Sequence, residues 1–211
     1  NFLKDFTVGS MPDMLTFTPD GNKIITANEG EPTENYSLDP EGSVSVIDLS
    51  KGIKKAEVKT ISFSSLKIQA GMKSFSVAKD LASDLEPEYI TVAQNSQTAW
   101  VVLQENNAIM EIDLNKLNIT HLFGLGFKDN SRSGNGLDVS DKNTSVTIKN
   151  WPIKSYYQPD AITSLEQNGK TYIITANEGD KRDYNVKEAR RLNTLFLDST
   201  IFPDQEYLKA D

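Results

Sequence analysis

Acidic residues recur along this chain in a pattern that suits cation binding. Asp13, Glu88 and Asp160 each follow a proline, and Glu29, Glu105 and Glu178 each follow a side-chain amide, as Asn28-Glu29, Gln104-Glu105 and Asn177-Glu178. Two further acids, Glu31 and Asp180, lie just beyond the first and last of these pairs. Carboxylates and amides are hard oxygen donors of the kind that Ca2+ and similar divalent ions take. Like charges brought together also raise one another's pKa values or recruit a counter-cation. The candidate ligand-binding set is therefore Asn28, Glu29, Gln104, Glu105, Asn177, Glu178 and Asp180. The candidate metal set is Glu29, Glu31, Glu88, Glu105, Glu178 and Asp180. A second reading stays open, in which these groups hydrogen-bond backbone at the corners of a repeated fold, as repeated residues often do. Asp13 and Asp160 suit that role best, because Asp after Pro favours a turn.

Other constellations are thinner. Asp129, Ser131, Ser133 and Gly134 imitate the start of an EF-hand loop, but position twelve is Ser140 where a bidentate Glu is required. Asp138 and Asp141, with Asn143, offer a separate surface metal site within what otherwise reads as a polar loop. The single histidine, His121, falls in a strand pattern, so the chain lacks a histidine set for a dizinc centre and a Ser-His-Asp order for acyl transfer. Hydrolysis would have to run on carboxylates and a metal, with Glu29, Glu178 and Asp180 best placed. No catalytic residue is assigned. Trp100, Trp151 and the Tyr156-Tyr157 pair are candidates to line a pocket, with Trp100 better suited to a core.

Composition narrows the partners. The 211 residues carry 22 basic and 30 acidic side chains, a net charge of −8. Phosphate neutralisation needs clustered Lys and Arg, so nucleic-acid and anionic-membrane binding are disfavoured. With no cysteine, disulfides, thiol chemistry and zinc–thiolate sites are excluded. No apolar run reaches the ~20 residues that a membrane helix needs.

The elements that must position these acids repeat. IITANEG occurs at Ile24–Gly30 and again at Ile173–Gly179. A divergent third copy runs from Pro87 through Ile90-Thr91 and Ala99–Asn106, so three units lead from Pro12, Pro87 and Pro159. In the first, Met14–Thr18, the turn Pro19-Asp20-Gly21-Asn22, Lys23–Ala27, Ser43–Leu49 and Ala56–Phe63 read as four strands. In the second, Tyr89–Gln94, Ala99–Leu103, Ala108–Leu114 and Ile119–Phe127 repeat the plan. Residues 2–8 read as one strand of a preceding unit. Four antiparallel strands on short turns make one propeller blade. The fold expected is all-β: a β-propeller fragment of YVTN or WD40 type with long, partly helical inserts. A single partial domain over 1–211 would comprise a blade at 12–63, an insert at 64–86, a blade at 87–127, an insert at 128–158 and a partial blade at 159–211. Helical spacing is expected within 64–86, from Leu66, Ile68, Val77, Leu81 and Leu85, and over 186–197.

The segments PDMLTFTPDGNKIITANEGEP, DPEGSVSVIDL, LEPEYITVA, LQENNAIMEIDL and YQPDAITSLEQNGKTYIITANEGDKRDY resemble the choice-of-anchor I family, and GNGLDVSD also looks like a family motif. The resemblance implies a secreted bacterial propeller, related to an animal mesenchyme-specific cell-surface glycoprotein and often labelled alkaline phosphatase. It implies further blades upstream and downstream as partners, and a secreted, periplasmic or cell-surface location. In a propeller the loops entering the innermost strands and those joining second to third strands share one face, so the six repeated acids are expected at one channel mouth. The function expected is ligand binding, of a small molecule or glycan, with a divalent-cation site there. A metal-dependent phosphatase, phosphodiesterase or lactonase and a structural scaffold are the alternatives.

Overall fold

A computed structural model of the chain describes residues 2–75, 78–140, 144–182, 184–185 and 188–206. These fall into two compact units, one built from residues 1–126 and 156–180, the other from 127–155 and 181–211. The described structure is nearly all β, in four antiparallel sheets.

The larger unit holds three of them. β1 (Pro12–Phe17), β2 (Lys23–Asn28), β3 (Ser43–Asp48) and β4 (Glu57–Ser62) form one sheet in chain order. Its first turn is fixed by Asp20, whose carboxylate accepts from Thr18 Oγ1 at 2.6 Å and from the Asn22 amide N at 3.0 Å. Those donors hold the Asp20 pKa down at about 2. After a short helix α1 (Leu81–Asp84), β5 (Pro87–Val92), β6 (Thr98–Leu103), β7 (Ala108–Asp113) and β8 (Asn118–Gly124) make the second sheet, again in chain order. The third sheet has two strands, β11 (Pro159–Gln167) and β12 (Lys170–Asn177). β5 packs against β1 and β2, and β11 against β5 and β6, so the leading strands of the three sheets stand next to one another.

The packing explains the hydrophobic pattern. Ile25, Ala27, Val44 and Val46 of the first sheet meet Ile90, Ala99, Val101, Leu103, Met110 and Ile112 of the second in one buried cluster. On the opposite face of the second sheet, Trp100, Val102 and Ile109 pack with Ile162 of β11. A strand covered on both faces has no polar side, and β6 accordingly runs Thr-Ala-Trp-Val-Val-Leu with its last five residues buried.

Among the described residues, the insert expected to be partly helical contains one four-residue helix, α1, capped by Asp80, whose Oδ1 accepts from the Ser83 N–H at 3.0 Å. The rest of its backbone is used otherwise. The carbonyl of Gly71, which sits at φ +87°, accepts from the amide N of Gly126 at 3.0 Å and from Asn107 Nδ2 at 2.8 Å. Pro87 then bars the helix from continuing. Val77 lies outside the described residues. Residues 2–8, expected as a strand, form none among the described residues. In 186–197 the described residues form only a 3-10 turn at Leu192–Thr194 in place of a helix, while 186 and 187 lie outside the description.

The smaller unit pairs β9 (Phe127–Asp129) with β10 (Lys154–Tyr156). Trp151 is buried there and donates its indole N–H to the Leu137 carbonyl at 3.0 Å.

Candidate functional site

The proline-acid pairs have a structural meaning that alternation conceals. In each leading strand the register slips just after the proline, between Pro12 and Met14, between Pro87 and Ile90, and between Pro159 and Ala161. Asp13, Glu88 and Asp160 are therefore bulge residues. A bulge takes its extra residue out of the in-out alternation and re-aims the side chain.

The NEG turns lie against the residue before each proline. The Glu29 N–H donates to the Met11 carbonyl at 2.8 Å and Gly30 N–H to that of Ser10 at 3.2 Å. In the third unit Glu178 and Gly179 N–H both donate to the Gln158 carbonyl, at 3.3 and 3.2 Å. Gly30 has φ +71°, and a Cβ on it would come within 2.8 Å of the backbone of Glu41 and Gly42. The repeated motif is thus a backbone lock that carries each glutamate to the bulge beside it.

Seven acids from the three sheets share one electrostatic environment. Burial raises the Glu29 pKa to about 7, and the negative charges of Glu31, Glu105, Asp13 and Asp180 add to the shift. Glu88 is pushed higher still, again first by burial and then by Glu105, Glu29, Asp160 and Asp13. The leading charges acting on the two are all negative, so the field rewards a proton or a cation. Glu105 is itself buried. Glu178 is exposed and does not rank among the main charges acting on either glutamate.

Of the amides beside these acids, Asn28 is committed to the fold. Asn28 is fully buried; its Nδ2 donates to Ser43 Oγ at 3.2 Å and Ser45 Oγ at 2.9 Å, and its Oδ1 accepts from Thr26 at 3.0 Å. Asn177 is exposed and accepts from Thr175 Oγ1 at 3.0 Å. Gln104 is buried, and its backbone carbonyl accepts the Asn107 N–H at 2.9 Å. Register also displaces the second unit by one residue. Pro12 and Pro159 face Asn28 and Asn177, whereas Pro87 faces Leu103, so Gln104 rather than Glu105 matches Glu29.

Sequence reasoning missed Asn106 and Asn107, both fully buried. Asn107 Nδ2 donates to the carbonyls of Gly71 and Gly126 at 2.8 and 2.7 Å, while its Oδ1 accepts from the Tyr157 and Gln158 N–H groups at 2.8 and 3.0 Å. Asn106 Nδ2 donates to the Asp84 carbonyl at 2.9 Å. These amides tie the β6–β7 turn to the chain entering β5 and β11, beside the acids. Two asparagines in a tight turn were the available signal.

The loop candidates are occupied locally. Asp129 accepts from Ser131 N and Oγ and pairs with Arg132 Nε at 3.3 Å. Asp138 accepts from the Ser140 and Thr147 N–H groups at 3.4 and 3.1 Å. Asp141 and Asn143 lie outside the described residues. His121 Nδ1 is 2.9 Å from Glu111 Oε1, and the same carboxylate accepts from Thr120 Oγ1 and Trp100 Nε1 at 2.6 and 3.1 Å. Among the described residues, no three His, Asp or Glu side chains converge closely enough to hold a metal ion. The acids form a shared field rather than a closed coordination shell.

Repeated antiparallel sheets, leading strands side by side and acids carried to them on bulges define an all-β repeat protein. The chain belongs to the choice-of-anchor I domain family, which matches residues 1–211. Choice-of-anchor domains are associated with anchoring at the cell surface, in keeping with a secreted or surface location. No helix among the described residues is long and apolar enough to cross a membrane. No curated protein matches the chain. Among solved structures it is similar to Kuenenia stuttgartiensis hydrazine synthase, with a TM-score of 0.40 and 14% identity over 82% of this chain. The chain spans 32% of the length of that structure.

Proposed function

We propose that the chain is part of a bacterial β-propeller, secreted, periplasmic or held at the cell surface, whose acid-lined channel mouth binds a ligand together with a divalent cation. The observation that carries this reading is that Glu29 and Glu88 are both raised, first by burial and then by the charges of acids drawn from three successive sheets. Radial sheets are supported by the adjacency of β1, β5 and β11. They are supported too by the exposed apolar faces at the two ends of the series, Leu15 and Phe17 in the first sheet and Tyr172 and Ile174 in the third. Faces of that kind are what neighbouring blades cover. Cations compensate a cluster of carboxylates more completely than protons do once the pH passes the carboxylate pKa.

Calcium titration by calorimetry tests the reading. Stoichiometric binding at pH 8, weaker at pH 5.5 and reduced at least ten-fold by Glu29→Gln with Glu88→Gln, is expected. Failure of millimolar Ca2+, Mg2+ and Mn2+ to bind at pH 8 would end it.

A hydrolase is the second reading, favoured by the Glu29 pKa of about 7, which suits a general acid–base group at neutral pH. Turnover of generic phosphate-ester or lactone substrates that disappears in Glu29→Gln would select it over a binding module.

A further inference from the structure

We infer that the outer edge of β12 is a docking site for an antiparallel β-strand bearing hydroxyl side chains at two alternate positions, and that Thr175 and Asn177 select it. Among the described residues no strand pairs with that edge. The inference rests on internal comparison of the three units and does not depend on the acids at the mouth.

In the first unit the same sequence, IITANEG, already has its partner. β2 pairs with β3 so that Asn28 faces Ser43 and Thr26 faces Ser45. Thr26 Oγ1 donates a hydrogen bond to Asn28 Oδ1 at 3.0 Å, which turns the amide nitrogen toward Ser43 Oγ and Ser45 Oγ. All four residues are buried, so each hydroxyl answers a polar group that would otherwise be stranded. The second unit shows the complementary solution. There Val101 and Leu103 stand where Thr26 and Asn28 do, and the facing strand offers Met110 and Ala108. All four are apolar and fully buried. Polar faces polar in one unit and apolar faces apolar in the other, so the third strand matches the second at these two positions.

The third unit repeats the polar half. Thr175 Oγ1 donates to Asn177 Oδ1 at 3.0 Å, the distance found in the first unit, so the amide is already turned. Its Nδ2 donates to no described residue, and Asn177 is exposed. Strand addition to a sheet edge draws affinity from main-chain hydrogen bonds and specificity from alternate side chains. The edge reads a hydroxyl, one intervening residue and a second hydroxyl, with β-branched residues between, which is the pattern of Ser43-Val44-Ser45-Val46.

Two peptides test this against the full chain: residues 41–50, EGSVSVIDLS, and the same peptide with both serines of the Ser-Val-Ser run changed to valine. Fluorescence anisotropy should show the parent peptide binding and the valine peptide at least ten-fold weaker, since a buried unpaired amide costs about a hydrogen bond or more. A Thr175→Val, Asn177→Leu double variant, altered only at the edge strand, should reverse the preference and favour a peptide carrying Ala-Ile-Met-Glu-Ile-Asp. Equal affinity of both peptides for both proteins, or no binding of any, would overturn the inference. Self-association through this edge that the parent peptide cannot displace would also overturn it.

Discussion

Glu29 shows how one side chain records its surroundings. A carboxyl ordinarily near 4.5 is raised to about 7 here, so the folded protein keeps a proton that the unfolded chain releases. The contribution of Glu29 to stability should therefore be fully present below pH 4.5 and be lost as the pH rises through 7, because the unfolded state sheds the proton first. The melting temperature of Glu29→Gln should be flatter over that window than that of the parent, as followed by circular dichroism. Gly30 carries the other residue-scale prediction. Alanine there meets both a left-handed φ and the backbone of Glu41 and Gly42. Gly30→Ala should cost about 1–3 kcal/mol in urea denaturation, whereas alanine at exposed Asp160 should change stability by less than about 0.5 kcal/mol.

At the scale of elements, the strands were legible and their irregularities were not. Alternation in SVSVIDL and the turn chemistry of Pro19-Asp20-Gly21-Asn22 mark β1 to β3 because both signals are local. The bulges at Asp13, Glu88 and Asp160 are not local, since a slip of register exists only relative to a partner strand. For the same reason the pairing of Gln104-Glu105 with Asn28-Glu29 comes out one residue off once Pro87 is seen to face Leu103. The apolar spacing of 64–86 imitates a helix, but Gly71 and Asn107 commit that backbone to tertiary hydrogen bonds. Burial separates two kinds of strand position. Leu103→Ala, at a fully buried site, should cost about 2–5 kcal/mol. Asn28→Ala should cost about 1–3 kcal/mol through the partners it strands, Ser43, Ser45 and Thr26. Chemical denaturation of both variants checks the ranking.

For the molecule as a whole, the repeat was readable because IITANEG is nearly untouched, and the gathering of acids follows from the adjacency of three leading strands. What sequence could not supply was distance. Burial and the neighbouring charges act on Glu29 and Glu88 while, among the described residues, no three acids close on a point. The most direct measurement is the carboxyl titration of Glu29 by carbon-detected NMR, in the parent and in Glu105→Gln. A midpoint near 7 that drops when Glu105 loses its charge, while burial and the remaining acids hold it above the ordinary 4.5, is what the shared field predicts. An ordinary midpoint, indifferent to Glu105, would contradict it.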